Sequence, residues 1–96
     1  MNSENEQSLK DVLRDMVDSF KWKEKLNETK IRQIWMSRMG TTINQFTKDI
    51  KLRQDKLFIT LDSAPLKQEL SYEKEKIREM MNAELGGEYV KKVVVR

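Results

Sequence analysis

The fold is decided by one stretch of sequence, IKLRQDKLFITL at positions 50–61. Apolar and polar residues alternate on both sides of Gln54-Asp55, which is the pattern of two strands joined by a two-residue turn. Such a turn pairs Arg53 with Lys56 and therefore aligns Ile50 with Ile59. This register predicts a core face that contains Ile50, Leu52, Leu57, Ile59 and Leu61. The other face of the hairpin then contains Lys51, Arg53, Lys56 and Phe58.

The sequence before the hairpin has the spacing of amphipathic helices. From Leu9 to Phe20, apolar residues follow one another at intervals of three and four, which predicts a first helix. The segment 21–27 interrupts this spacing and predicts a connection. Asn27 is suited to cap a second helix that ends at Gly40, with a further turn over 41–46. The apolar face of this second helix contains Ile31, Ile34, Trp35 and Met39, and we expect Trp35 to lie in the core.

The sequence after the hairpin predicts a long helix and a last strand. Ser63 is suited as an N-cap, and Pro65, the only proline, fits the first helical turn. The apolar stripe of this helix continues to Gly86-Gly87, where the glycines end it. The valines at 90 and 93–95 then indicate a strand.

Together these elements predict an α+β, KH-like single domain with the order α-α-β-β-α-β. The helices pack mainly on one face of a three-stranded sheet, so that the other face stays partly open. The sequence leaves open whether the third strand lies beside the first or the second. We expect the domain to span residues 7–96, after a flexible N-terminus at residues 1–6.

The composition excludes several classes of protein. The 96 residues contain no Cys and no His, which rules out disulfides, thiolate chemistry and the usual zinc ligand. The carboxylates alternate with Lys and Arg as solvated ion pairs do, and no Gly-rich phosphate loop accompanies them. We therefore expect no catalytic residue, no metal, no cofactor and no enzymatic activity. The polar start and the lack of a long apolar run predict a cytoplasmic protein without a signal peptide or a membrane partner.

The middle of the chain is its basic part and contains the candidate nucleic-acid contacts. Residues 21–56 carry 10 Lys and Arg against 4 Asp and Glu, whereas residues 1–20 have a net charge of −3. On the open hairpin face, Phe58 lies among Lys51, Arg53 and Lys56, which suits base stacking combined with phosphate attraction. Alternatively, a loop, a helix or a second subunit covers Phe58, and the lysines are simply solvated.

A second group of candidate nucleic-acid contacts lies earlier in the sequence. It consists of Lys21, Lys23, Lys25, Lys30, Arg32 and Arg38. Trp22 lies among these cations and is either a base-stacking residue or, as we favour, a residue packed against the end of the first helix.

Three motifs in succession carry a family resemblance. A helix containing Trp35 closes in Met39-Gly40, and the hairpin Ile-x-Leu…Leu-x-Ile-x-Leu-x-Ser follows at 50–63. Ala-x-Leu-x-x-Glu-Leu-Ser-Tyr at 64–72 then opens a long helix that ends in Leu-Gly before a valine-rich strand. From Leu9 to Arg96, the chain resembles the DciA family of bacterial proteins.

This resemblance implies a KH-like fold and a part in bacterial DNA replication. Members of the family bind DNA and help the replicative helicase onto single-stranded DNA. The implied partners are single-stranded or forked DNA, bound weakly and in a salt-sensitive way, and the replicative helicase. A weak homodimer is a further expectation. The alternative is a protein-interaction module that docks the helicase or a second copy through its open sheet face, without binding nucleic acid itself.

Two features depart from what the resemblance implies. Gly86-Gly87 lies between a helix and a strand and is not the Gly-x-x-Gly loop of true KH domains. The sequence also stops at Arg96, whereas longer family members carry a flexible C-terminal tail implicated in helicase contact. If that tail is needed for loading, we expect this short form to bind DNA or a partner without loading the helicase.

Overall fold

One long helix, a three-stranded sheet and two shorter helices make up the computed structural model, which describes residues 8–96. The elements are α1 (Leu9–Phe46), β1 (Thr47–Arg53), β2 (Lys56–Leu61), α2 (Ala64–Ser71), α3 (Lys74–Leu85) and β3 (Lys92–Val95). The predicted α+β class with a three-stranded sheet is confirmed. The predicted flexible segment 1–6 lies outside the described residues, and the likeness to KH domains stays a prediction.

The hairpin has the register that its sequence predicts. Arg53 pairs with Lys56, Lys51 with Phe58 and Ile50 with Ile59. Gln54 takes the positive φ of 59° that the tight turn needs. The strand side chains buried under the helices are Ile50, Leu52, Leu57, Ile59, Leu61 and Val93. The helices therefore cover one face of the sheet, as predicted.

The third strand lies parallel to β2, so the sheet order is β1-β2-β3. A side-chain clamp holds the segment that leads into β3. The Asn82 Nδ2 donates to the Val90 carbonyl and the Val90 N–H donates to Asn82 Oδ1, both at 2.8 Å. Gly86, with φ 77°, ends α3 in the left-handed conformation and turns the chain back towards the sheet.

The predicted connection at 21–27 is wrong, because α1 runs through it as a helix. The segment contains no Gly or Pro and consists mostly of good helix formers, so a break in apolar spacing does not end the helix. Asn27 consequently lies inside the helix and caps nothing. The predicted break at Gly40 is confirmed: its φ of 81° and ψ of 172° are not helical. The Asn44 amide spans this kink by donating to the carbonyls of Met36 and Gly40.

The predicted single helix from Ser63 to Gly86 is divided in two. α2 ends at Ser71, where the Tyr72 N–H donates to the carbonyls of Glu69 and Leu70 instead of to a fourth-preceding residue. Between Leu70 and Ile77 no buried side chain holds the chain to the core, so the helix axis can change direction there. Both predicted ends are confirmed, since the Ser63 hydroxyl accepts from the Leu66 N–H at 3.3 Å and Gly86 closes α3.

The second half of α1 packs on the sheet and supplies the largest core side chain. Trp35 is fully buried, as predicted, together with Ile31. The Trp35 indole N–H donates to Thr47 Oγ1 at 3.0 Å, so the buried ring leaves no unpaired polar atom. α1 thereby aligns the start of β1.

The first part of α1 extends beyond the sheet. Residues 9–23, which we call the arm, contain no buried side chain. The molecule measures 63 × 24 × 20 Å, and the arm, at 1.5 Å per helical residue, is about 22 Å long. None of the helices within residues 8–96 is long and apolar enough to cross a membrane.

Candidate nucleic-acid interface

The sheet face that the helices leave uncovered has a basic border around an aromatic centre. Strand alternation and the observed pairing place nine residues on it, which together we call the open face: Asp49, Lys51, Arg53, Lys56, Phe58, Thr60, Lys92, Val94 and Arg96. Five of these side chains are cations, and the one carboxylate, Asp49, pairs with Arg32 of α1 at 3.4 Å. Lys51, Phe58 and Val94 form the middle row, with one residue from each strand.

Phe58 lies at the centre of the open face and is half-buried. The Arg96 guanidinium lies over its ring, with the guanidinium carbon 4.7 Å from the ring centroid. Arg96 Nε also donates to Thr60 Oγ1 at 3.4 Å, which fixes the planar group above the ring. The pair therefore forms a two-layer platform, because a flat ligand can stack on the guanidinium or replace it on the phenyl face.

Four of the five cations have no Asp or Glu partner among the described residues. These are Lys51, Lys56, Lys92 and Arg96, whereas Arg53 lies 3.9 Å from Glu24. Ion pairs at such exposed positions contribute little, so Arg53 stays available to an anion. The open face therefore offers its charge to an external polyanion.

The structure places the predicted site residues in two separate regions. Lys51, Arg53, Lys56 and Phe58 share the open face, as their alternation predicts. The second group is carried by α1, which packs against the buried face of the sheet. Arg38 of that group pairs with Glu84 of α3. The packing expected for Trp22 is wrong, since this side chain is 66% exposed.

Arg32, another member of the second group, is engaged at the edge of the sheet. Its guanidinium donates to the Ile50 carbonyl at 2.9 Å, and Glu28 accepts from the Leu52 N–H at 3.0 Å. Arg32 also pairs with Glu28 at 3.2 Å and with Asp49 at 3.4 Å. The two α1 side chains therefore satisfy outward backbone groups of β1 and protect that edge from pairing with another strand.

Lys92 and Arg96 belong to the open face but are missing from the sequence-based site. Their signal is the alternation in Lys92-Val93-Val94-Val95-Arg96, in which Val93 is buried and its neighbours point outward. This alternation places Lys92 and Arg96 on the open face only if β3 lies beside β2. The sequence leaves the strand order open, so it does not show that these two cations belong to the face.

The other charged groups of the described chain form ordinary surface pairs. No group of three or more Asp or Glu side chains within residues 8–96 is arranged to hold a metal ion. On α3, the hydrogen bond from Arg78 Nε to Glu75, at 2.7 Å, raises the pKa of the Arg78 guanidinium above its ordinary value. This arginine stays charged and adds no titrating group to the open face.

The fold and the open face define a small α+β domain with a candidate surface for an anionic, partly aromatic ligand. A family model described as Dna[CI] antecedent, DciA, matches residues 8–95 of the 96-residue chain. The chain therefore belongs to the DciA family, which is linked to bacterial DNA replication and helicase loading and is not a known class of enzyme. No curated protein and no solved structure significantly matches this chain.

Proposed function

We propose that the open face binds single-stranded nucleic acid, as part of a non-enzymatic accessory role beside the bacterial replicative helicase in the cytoplasm. The observation that carries the proposal is the stack of Arg96 on Phe58 at the centre of a face with four further cations, whose one carboxylate, Asp49, is paired with Arg32. Cations attract phosphates, and a stacking platform holds a base. Membership of the DciA family supports the same function.

The stacking platform favours single strands over a duplex. In a duplex the bases are stacked and paired, so a flat sheet face reaches only the phosphates and groove edges. An unpaired base can lie against the guanidinium or ring of the platform while its phosphates meet Lys51, Lys56 or Lys92. We therefore expect tighter binding to a single strand than to a duplex of the same length.

The strength of binding should depend steeply on salt. With about 2–4 phosphate contacts, the logarithm of the affinity falls by about 0.7 per contact for each tenfold rise in salt. Affinity should then fall roughly 7- to 50-fold between about 50 and 200 mM salt. Fluorescence anisotropy of a labelled oligonucleotide measures this change. If the open face instead docks another protein, the chain should not bind the oligonucleotide even at low salt. That result would contradict the proposal.

Charge reversal locates the contacts. Lys51→Glu and Lys56→Glu should each weaken binding by about 1 kcal/mol or more and reduce the salt slope, because each removes one phosphate contact. Lys67→Glu is the matched control, since Lys67 is exposed on α2 and the net charge changes equally. Equal losses in all three variants would mean that net charge, rather than the open face, attracts the oligonucleotide.

Phe58→Ala tests the platform separately from the cations. Stacking of one base contributes about 1–3 kcal/mol, so affinity should fall about 5- to 150-fold while the salt slope stays unchanged. Tyr72→Ala is the matched control, because Tyr72 is an exposed aromatic residue on the helical side of the molecule. An unchanged affinity of Phe58→Ala would mean that base stacking on Phe58 does not contribute to binding.

The helicase part of the proposal has its own test. Size-exclusion chromatography of the chain with the replicative helicase should show a complex, with and without a single-stranded oligonucleotide. A chain that binds the oligonucleotide and never co-elutes with the helicase would be a DNA-binding protein without this accessory role.

A further inference from the structure

The arm carries an apolar stripe that nothing else in the described residues covers. Leu9, Leu13, Met16 and Phe20 follow one another at intervals of four, three and four, and each is 50–74% exposed. Val12 and Val17 widen the stripe on its two sides. Six clustered apolar side chains on one helix face exceed the scattered exposure that is normal for a surface, so this stripe indicates a docking surface.

The stripe ends in a concave corner beside the hairpin. At 3.6 residues per turn it lies in line with Ile31 and Trp35, which face the sheet farther along α1. A space of about 600 Å³ therefore opens between the arm and the hairpin tip, bounded by Val17, Phe20, Leu52, Asp55 and Tyr89 among others. A helix lying along the arm can place one large apolar side chain in this corner.

The charges that border the stripe indicate the chemistry of its occupant. At the same helical spacing, Lys10, Arg14 and Lys21 lie along one border, beside Val17. The other border, beside Val12, is mixed and carries Asp15 and Lys23. Asp11 and Asp18 lie on the side of the helix away from the stripe. A partner that follows the stripe therefore passes three cations on one border and one charge of each sign on the other. Acidic side chains on the flank that meets the basic border would complement it.

A second copy of this chain fits the stripe poorly. In an antiparallel pair of arms related by a two-fold axis, each border of one arm lies against the same border of the other arm. Lys10, Arg14 and Lys21 would then face like charges. A parallel pair of arms would produce a steric clash. The stripe and the sheet lie on the same side of α1, so the α1 of the second copy would run past its arm into the sheet of the first copy.

We propose that the arm docks an amphipathic helix of another protein, with apolar residues at i, i+3 or i+4 and i+7 and acidic residues on one flank. Six half-exposed apolar side chains supply on the order of 500 Å² on this side, which is typical of small, transient interfaces. The arm is separate from the open face, so the interaction does not depend on nucleic-acid binding.

The probe is a pair of labelled synthetic peptides of about 18 residues with the same leucine seam. One peptide has glutamates on the flank of the seam, and the other has lysines there. The glutamate peptide should bind the full chain at least roughly tenfold more tightly in fluorescence anisotropy. Leu13→Ser with Met16→Ser should abolish this binding, whereas Trp22→Ser, which removes an exposed apolar residue from the other side of the arm, should not.

Charge reversal of the basic border gives the most specific result. A chain with Lys10→Glu, Arg14→Glu and Lys21→Glu should reverse the preference and bind the lysine peptide more tightly. The arm contributes no buried side chain, so these variants should keep the melting temperature of the parent chain. Circular dichroism checks that they do.

Several outcomes would overturn the proposal. Equal binding of both peptides, or no binding of either, would remove the acidic helix as the occupant. A dimer in sedimentation velocity that Leu13→Ser with Met16→Ser dissociates would show that a second copy covers the stripe. Arm-dependent binding to vesicles of equal phosphatidylglycerol and phosphatidylcholine, without peptide binding, would assign the stripe to a membrane surface.

Discussion

Asn82→Ala should destabilise the chain far more than the loss of an exposed polar side chain. The Asn82 side chain is 7% exposed and makes two hydrogen bonds with the backbone of Val90, which is fully buried. Alanine removes both bonds. The Val90 N–H and C=O then stay buried without partners.

The size of the effect follows from these two orphaned groups. A buried polar group left without a partner costs about 1–3 kcal/mol, so the pair costs about 2–6 kcal/mol. A domain of this size has a stability of about 5–15 kcal/mol, and the loss is a large part of it. The melting temperature should fall by roughly 10–30 °C. Since Asn82 holds the segment before β3, the loss also loosens the strand that carries Lys92 and Arg96.

Urea denaturation followed by circular dichroism measures this loss, and Asn44→Ala is the matched control. The Asn44 amide also donates to two backbone carbonyls, but these bonds are exposed and water can replace them. The control should lose less than about 1 kcal/mol. A loss below about 1 kcal/mol for Asn82→Ala, or equal losses in the two variants, would refute the claim that the clamp holds β3.

Two further substitutions test other parts of the fold. Glu28→Ala removes the acceptor of the Leu52 N–H and should destabilise the chain by about 1–2 kcal/mol in urea denaturation, with increased self-association in sedimentation velocity. Glu28→Gln keeps an acceptor and should retain most of the stability and little of the self-association. Equal stability and equal self-association of the two variants would contradict the claim that Glu28 protects the edge of β1. Trp35→Phe loses the hydrogen bond to Thr47 Oγ1 and part of the ring volume, so thermal melting should report a loss of about 1–3 kcal/mol. An unchanged melting temperature would mean that this bond does not hold β1 against α1.

Local chemistry in the sequence predicts the hairpin, the break at Gly40, the start of α2 after Ser63 and the end of α3 at Gly86. A two-residue turn fixes the register of both strands, because a shift by one residue would move Leu52 and Leu57 to the wrong face. Gly40, Ser63 and Gly86 act through their own backbone or side chain and need no distant partner. Features of this kind depend on a few neighbouring residues, so the sequence alone is sufficient.

Features that depend on tertiary packing are missed or wrong. The helix over 21–27 has no apolar periodicity of its own and persists through propensity and the packing of the segments that follow it. The clamp of Asn82 on Val90 joins residues eight positions apart across a loop. The contribution of Lys92 and Arg96 to the open face requires the pairing of β3 with β2. In each case the local sequence permits more than one outcome, and the packing of other elements decides between them.

The central claim is that the open face, and not α1, contacts single-stranded nucleic acid. The most direct measurement is a ¹⁵N–¹H correlation spectrum of the chain during titration with a short single-stranded oligonucleotide at low salt. The largest shift changes should fall on the amides of 51–58 and 92–96, with little change at Lys25 or Lys30. Shift changes confined to α1, or no change at all, would contradict the account.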